Sequence, residues 1–273
     1  PLIVISERFL EKLKKHIDLP IALGMRYGSM SIRKALQELH DQGIEDTLLV
    51  PLYPQYAMSS YETVVVKTLE EQQRHFPEMK ITTLPAFYNQ DDYIKVLGDH
   101  IAKELQDFEY DQLLFSYHGI PERHIRKSDP TKFHCKIDGS CCSINSVAHH
   151  SCYRHQCYTT TKLVGEHLQL EEDKIATSFQ SRIAGDTWLK PYTDYEFERF
   201  AKEDKTRLAV VTPAFVADCL ETLEEIAMEG EEEFIEAGGK EFKHISCLND
   251  SDSWVALMAK WISHWDQHAK LPF

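Results

Sequence analysis

The chain of 273 residues carries 30 basic and 44 acidic residues, a formal charge of −14 at pH 7, which excludes the clustered Lys and Arg that neutralise a nucleic-acid backbone. Its length suits a pair of similar-sized α/β domains. No apolar run approaches the ~20 residues that span a bilayer, and no charged leader precedes an apolar stretch. The expectation is therefore a cytoplasmic monomer or homodimer whose partners are cations or neutral molecules, with peripheral contact at the inner face of a membrane left open. The chain opens at Pro1-Leu2-Ile3-Val4 without an initiator Met, which reads as loss of an N-terminal piece.

Apolar runs alternate with helical periodicity along most of the chain, the pattern of βαβ units feeding a parallel sheet. Strands are predicted at Ile21–Met25, Thr47–Leu52, Lys80–Leu84 and Gln112–Tyr117, with crossover helices at Ser31–Gln42, Ser60–His75 and Asp91–Asp107 between them. Ser31 and Asp91 suit N-caps. After an irregular stretch from Glu122 to Gln156, a helix near Thr159–Leu168, strands near Lys174–Ser178 and Arg207–Val211 and a helix at Ala217–Met228 follow. Val255, Met258 and Ile262 mark one face of a C-terminal helix. The irregular stretch is longer than the ~12–15 residues of an ordinary loop, so something must organise it. Five of the seven cysteines (Cys135, Cys141, Cys142, Cys152, Cys157) lie inside it or at its end, and in a chain read as intracellular that clustering favours metal over disulfide. With His134, His149, His150 and His155 nearby, the residues alone put a zinc site first.

Four constellations carry chemistry. Leu114-Phe115-Ser116-Tyr117-His118-Gly119-Ile120-Pro121 ends an apolar strand in His118, placed where open α/β sheets bind ligands; a strand-end histidine with a satisfied hydrogen bond is the plain alternative. On the predicted helix from Ala217, the carboxylates Asp218, Glu221 and Glu225 fall at i, i+3 and i+7. Such a stripe suits passage of a divalent ion such as Fe²⁺, or is simply a solvated acidic face. Ser178-Phe179-Gln180-Ser181-Arg182 leads to Trp188, whose ring suits a flat apolar ligand or merely packs a loop. Arg26-Tyr27 and the Tyr53 region stand at two further strand ends, an Arg for a carboxylate and tyrosines for an apolar wall.

The motifs GMRYG, PLYPQY, SYHGIP, SFQSR with TWLKP, and FVADCLETLEEI occur here in the order and spacing of the ferrochelatases. The chain thus resembles that family from Pro1 to about Trp265. The resemblance implies an α/β fold of two Rossmann-like domains with parallel sheets and a porphyrin cleft between them, here residues 1–107 plus 251–273 and residues 108–250, the second with an insertion at 133–157. It implies insertion of Fe²⁺ into protoporphyrin IX, with protoporphyrin IX and ferrous iron as substrates. Relatives acting on coproporphyrin, chelatases for cobalt or nickel, and a non-catalytic haem-binding or iron–sulfur sensor are the alternatives. His118 and Glu221 match the catalytic pair and contacts to the iron; Arg26, Tyr27, Tyr53, Trp188, Phe215 and Asp218 are expected to bind substrate. Because some bacterial members hold a [2Fe–2S] cluster on four internal cysteines, the resemblance implies one here on Cys135, Cys142, Cys152 and Cys157, with Cys141 the rival of Cys142. Many relatives have His where Cys219 stands, so a second imidazole is not essential here.

Overall fold

A computed structural model describes all 273 residues, Pro1 to Phe273. The chain divides into two compact units, one of residues 2–53, 57–86 and 249–273, the other of residues 54–56 and 87–248 with Pro1.

The first unit begins with α1 (Leu2–Leu13), α2 (Ile32–Asp41), β1 (Asp46–Leu49), α3 (Thr63–His75) and β2 (Lys80–Thr83). Helix α2 forms because Ile32, Leu36 and Leu39 share one face and are buried with Phe76 and Met79, each such side chain contributing about 1.5–3 kcal/mol. Ser31 caps it as expected, its hydroxyl accepting from the Lys34 N–H at 3.3 Å. β1 and β2 pair in parallel, Asp46 with Lys80 through Leu49 with Thr83. The strand expected at Ile21–Met25 does not join them, and only Met25 bridges, to Ser31. Gly24 lies so close to α2 that a Cβ there would stand 3.2 Å from the Ile32 Cα, so this segment is laid against the start of that helix.

The second unit holds α4 (Asp91–Glu104), β3 (Gln112–His118), α5 (Glu122–Ser128), α6 (Tyr153–His167), β4 (Ile175–Gln180), α7 (Thr193–Lys202), β5 (Arg207–Val211), α8 (Leu220–Leu223), α9 (Gly230–Glu236) and β6 (Glu241–Ile245). Gln90, not Asp91, is the residue before α4; Asp91 and Asp92 occupy its first turn, where carboxylates interact favourably with the positive end of the helix dipole. The four strands form one parallel sheet in the order β4-β3-β5-β6. A parallel sheet covered on both faces needs continuous apolar strands, and β3 and β5 supply Leu113, Leu114, Phe115, Leu208, Ala209 and Val210, all without exposure. Leu114, Leu208 and Val210 pack with Phe197, Phe200, Ile226 and Phe234, and Ser116 on that same face bonds to Thr193 at the start of α7. Tyr117, on the opposite face by strand alternation, bonds through its hydroxyl to Thr161 of α6.

The chain returns to the first unit in α10 (Asp252–His268), which packs on α1 through Phe9 and Trp254, ring centroids 6.2 Å apart. Trp254, Val255, Leu257, Met258 and Trp261 are buried. No helix is long and apolar enough to cross a membrane.

Candidate active site at the carboxyl end of the larger sheet

In the order β4-β3-β5-β6 the connections leave β3 toward one side and β5 toward the other. The carboxyl ends of those two strands therefore flank the crevice in which open parallel sheets bind ligands. His118 is the last residue of β3, and Phe215 lies in the segment after β5. Their rings face each other edge-on, centroids 6.1 Å apart.

His118 is held from several directions. Its Nδ1 lies 2.6 Å from the Gly119 carbonyl oxygen. A carbonyl only accepts, so Nδ1 carries the proton, and in the neutral ring Nε2 is the acceptor. The His118 carbonyl accepts from the Tyr153 hydroxyl at 2.8 Å, and burial pushes that phenol well above its ordinary pKa. The next residue has to be glycine. A Cβ on Gly119 would stand 2.7 Å from the Gln180 carbonyl oxygen and 3.3 Å from Trp188 Cε3, and the Gly119 N–H donates to that same carbonyl at 2.8 Å. Trp188, half-buried, is fixed in turn by its indole N–H on the Ile183 carbonyl at 2.8 Å and by a bridge to Pro121.

Gln180 ends β4 as the register partner of His118. Its Oε1 accepts from the Ser116 hydroxyl at 2.9 Å, and its Nε2 donates to the Glu221 carbonyl at 2.7 Å and, more weakly, to the Glu225 carboxylate at 3.4 Å. Ser181 follows in the left-handed region at φ 64°, which costs a non-glycine residue about 1 kcal/mol or more and sets its hydroxyl on the Glu225 carboxylate. Gln180 thus links the end of the His118 strand to the Glu221 main chain.

The unbroken helix expected from Ala217 to Met228 does not form. Cys219 is the N-cap of the short α8, and a widened turn follows at Glu225–Glu229, where the Glu229 N–H reaches the Glu224 carbonyl at 2.9 Å. Asp218 therefore does not share a helical stripe with Glu221 and Glu225. It is buried, accepting from the Thr222 hydroxyl at 2.9 Å and the Cys247 N–H at 3.2 Å, and so pins the start of α8. Glu221 and Glu225 stay half-buried. Widened turns of this kind often mark functional positions.

The other residues singled out in the sequence belong to the first unit. The Arg26 guanidinium lies 4.8 Å over the Tyr27 ring, its Nε buried without a hydrogen-bond partner. Tyr27 is 77% exposed. Burial raises the Tyr53 phenol pKa, with the nearby Tyr27 phenol adding to it. Gln180, Ser181 and Tyr153 went unassigned in the sequence, since their importance depends on which strand end lies beside which.

The cysteine segment corrects an expectation. No group of three or more His, Cys, Asp or Glu side chains converges to hold a metal ion, so Cys135, Cys142, Cys152 and Cys157, or Cys141 in place of Cys142, do not form a [2Fe–2S] site, and the iron–sulfur reading is withdrawn. Burial pushes the Cys135 thiol up to about 11 and Cys157 well above its ordinary value. Polar side chains organise the loop instead. Arg154, buried, donates to the Ile137 carbonyl at 2.5 Å, to the Lys136 carbonyl and to Cys142 Sγ at 3.4 Å. Gln156 Nε2 donates to the His149 and His150 carbonyls, and the Asp129 carboxylate accepts from the N–H groups of Thr131 and Cys135. The His149 and His155 rings stack 3.5 Å apart.

Two solved structures share the fold. SirB from Bacillus subtilis with Fe3+ superposes with a TM-score of 0.64 at 13% identity, over 95% of this chain and 87% of that one. The sirohydrochlorin chelatase SirB from Bacillus subtilis subspecies spizizenii in complex with cobalt gives 0.60 at 11%, over 92% and 83%. At such identities the likeness is one of fold, a parallel α/β architecture with two sheet-containing units of the class-II chelatase type. Sequence comparison goes further. The family model "Ferrochelatase" matches residues 1–265. The ferrochelatase of Opitutus terrae is 44% identical over 269 residues, 98% of this chain and 78% of that protein, and that of Ectopseudomonas mendocina 41% over 260 residues, 94% and 76%. The chain belongs to the ferrochelatase family.

Proposed function

We propose that this chain inserts Fe²⁺ into protoporphyrin IX, releasing two protons and giving protohaem. Family membership supports the reaction, and the observation that carries the chemistry is the His118 tautomer: with Nδ1–H spent on the Gly119 carbonyl, Nε2 is free to accept a proton. A planar porphyrin hides its lone pairs and its two N–H protons in the ring plane, so metal can enter only as the ring bends and the protons leave. A crevice shaped for the bent ring lowers that barrier by differential binding. His118 takes a pyrrole N–H proton, acting as the general base through Nε2. Glu221, reached through Gln180, contacts the iron or takes the second proton. Phe215 and Trp188 offer apolar surface to the macrocycle. Arg26, with its unpartnered Nε, suits a propionate carboxylate; Tyr27 and Tyr53 are assigned to the ring. Asp218 acts on substrate indirectly, by fixing the turn that carries Glu221.

The test is fluorescence-followed insertion of zinc into protoporphyrin, repeated with Fe²⁺ without oxygen, and with cobalt and nickel on protoporphyrin, coproporphyrin and sirohydrochlorin. The wild type should metallate protoporphyrin fastest, and His118→Ala should lose about 10²- to 10⁴-fold in kcat. A protein that binds porphyrin but metallates nothing, or a His118→Ala variant of full activity, would overturn the reading.

A further inference from the structure

We propose that Gln180 is a positioning residue for the metal-insertion reaction, its side-chain amide holding the Glu221 turn at a fixed place beside His118; this rests on the reading above. Gln180 is 4% exposed, and a buried amide must have both ends satisfied. Both are. Nε2 faces the Glu221 carbonyl and the Glu225 carboxylate, groups that only accept, while Oε1 faces the Ser116 hydroxyl. The orientation of the amide is therefore fixed by its partners. Ser116 in turn bonds to Thr193, which bonds to Ser178 at 2.8 Å, so the amide rests on the interior of the sheet.

The segment this clamp holds is pinned at its start by Asp218 and by the Cys219 cap, and the Gln180 amide adds the contact that ties it to the His118 strand. α8 is a single turn, Leu220–Leu223, and it passes directly into the widened turn at Glu225–Glu229. The segment runs on into α9 and is anchored further along by Ile226 and Phe234 in the core. The Gln180 amide grips it at the Glu221 carbonyl and the Glu225 carboxylate, the second also held by Ser181. Because Gln180 is also the strand partner of His118 and its own carbonyl takes the Gly119 N–H, one residue fixes both halves of the pair. Loss of the amide should leave porphyrin binding largely intact and slow the chemistry, since small misplacements of reacting groups cost rate steeply.

Two variants test this. Gln180→Met keeps volume and removes both hydrogen-bonding ends; kcat for zinc insertion should fall about 10- to 100-fold while the porphyrin KM stays within about threefold. Gln180→Glu is nearly isosteric. Its protonated carboxyl donates to the Glu221 carbonyl, and its ionised form repels that carbonyl and Glu225. Buried beside Glu225 it retains its proton to higher pH than a free carboxyl. Activity relative to wild type should therefore be low at pH 8 and recover toward pH 6. Gln180→Met with unchanged kcat, or a Gln180→Glu ratio that is flat with pH, overturns the proposal. If Gln180→Met does not fold, the pH ratio of Gln180→Glu decides alone. Failure of the functional reading is seen separately, as a wild type that metallates nothing.

Discussion

Gly119→Ala makes the sharpest demand on the geometry. The added Cβ would stand 2.7 Å from the Gln180 carbonyl oxygen, about 0.7 Å inside the 3.4 Å at which ordinary contact begins, and 3.3 Å from Trp188 Cε3. The nearer obstacle is backbone in the paired strand, so no side-chain rotation relieves it; the ends of β3 and β4 have to part. Overpacking of this kind costs about 1–3 kcal/mol, and for a unit of this size each kcal/mol lowers Tm by about 2–4 °C. The same displacement lengthens the Gly119 N–H bond to Gln180 and carries His118 away from the Glu221 turn that Gln180 holds. A drop in Tm of about 4–8 °C and a fall in kcat of about 10- to 100-fold are expected, read by thermal unfolding and by zinc insertion into protoporphyrin. A variant with wild-type Tm and a kcat within twofold would show that the two strand ends are not closely packed at this point, and the account of the site would fail with it.

Tyr153→Phe frees the His118 carbonyl of its one hydroxyl donor and should cost about 1 kcal/mol in urea unfolding, with a several-fold lower kcat and an unaltered porphyrin KM; an unchanged kcat would show that this bond does not steady the imidazole. For Asp129, burial opposes ionisation but is outweighed by hydrogen bonds from Cys135, Thr131 and His134, which bring its carboxyl down to about 2. A carboxylate with a lowered folded pKa stabilises above its unfolded value near 3.8, and that contribution is lost as pH falls through 2. Asp129→Asn should therefore make residues 129–135 exchange amide hydrogen faster at pH 7 while matching wild type at pH 2, and equal exchange at pH 7 would count against the network. Burial lowers the pKa of both His149 and His155 despite hydrogen bonds that raise it. A lowered histidine stabilises while neutral, so that contribution is whole above about 6.5 and declines as pH falls below it. Proteolytic nicking within 133–150 should rise from pH 7 to pH 5.5 and do so less in His149→Gln/His155→Gln; a pH-independent rate would refute this.

Much of this architecture is legible along the chain because its physics is local. Periodicity in Ile32, Leu36 and Leu39, the Ser31 cap and the unbroken apolar run of β3 each fix an element without reference to the rest. His118 is recognisable because a His-Gly-Ile-Pro sequence that ends such a run must lie at a strand's carboxyl end, and the family motifs follow from the same linear order. What the sequence leaves open depends on neighbours far away in the chain. Spacing alone draws Asp218, Glu221 and Glu225 on one helix face, yet the Asp218 carboxylate finds Thr222 and the Cys247 N–H and lies ahead of the Cys219 cap at which the helix begins. Five cysteines close in sequence suggest a metal, whereas the folded loop closes around Arg154 and Gln156. Gln180 reads as one polar residue after a strand until the register pairs it with His118 and carries its amide to Glu221. Secondary structure and family are thus set by short-range patterns, while the partners of buried polar groups are set by sheet order and register, which only the assembled tertiary structure determines.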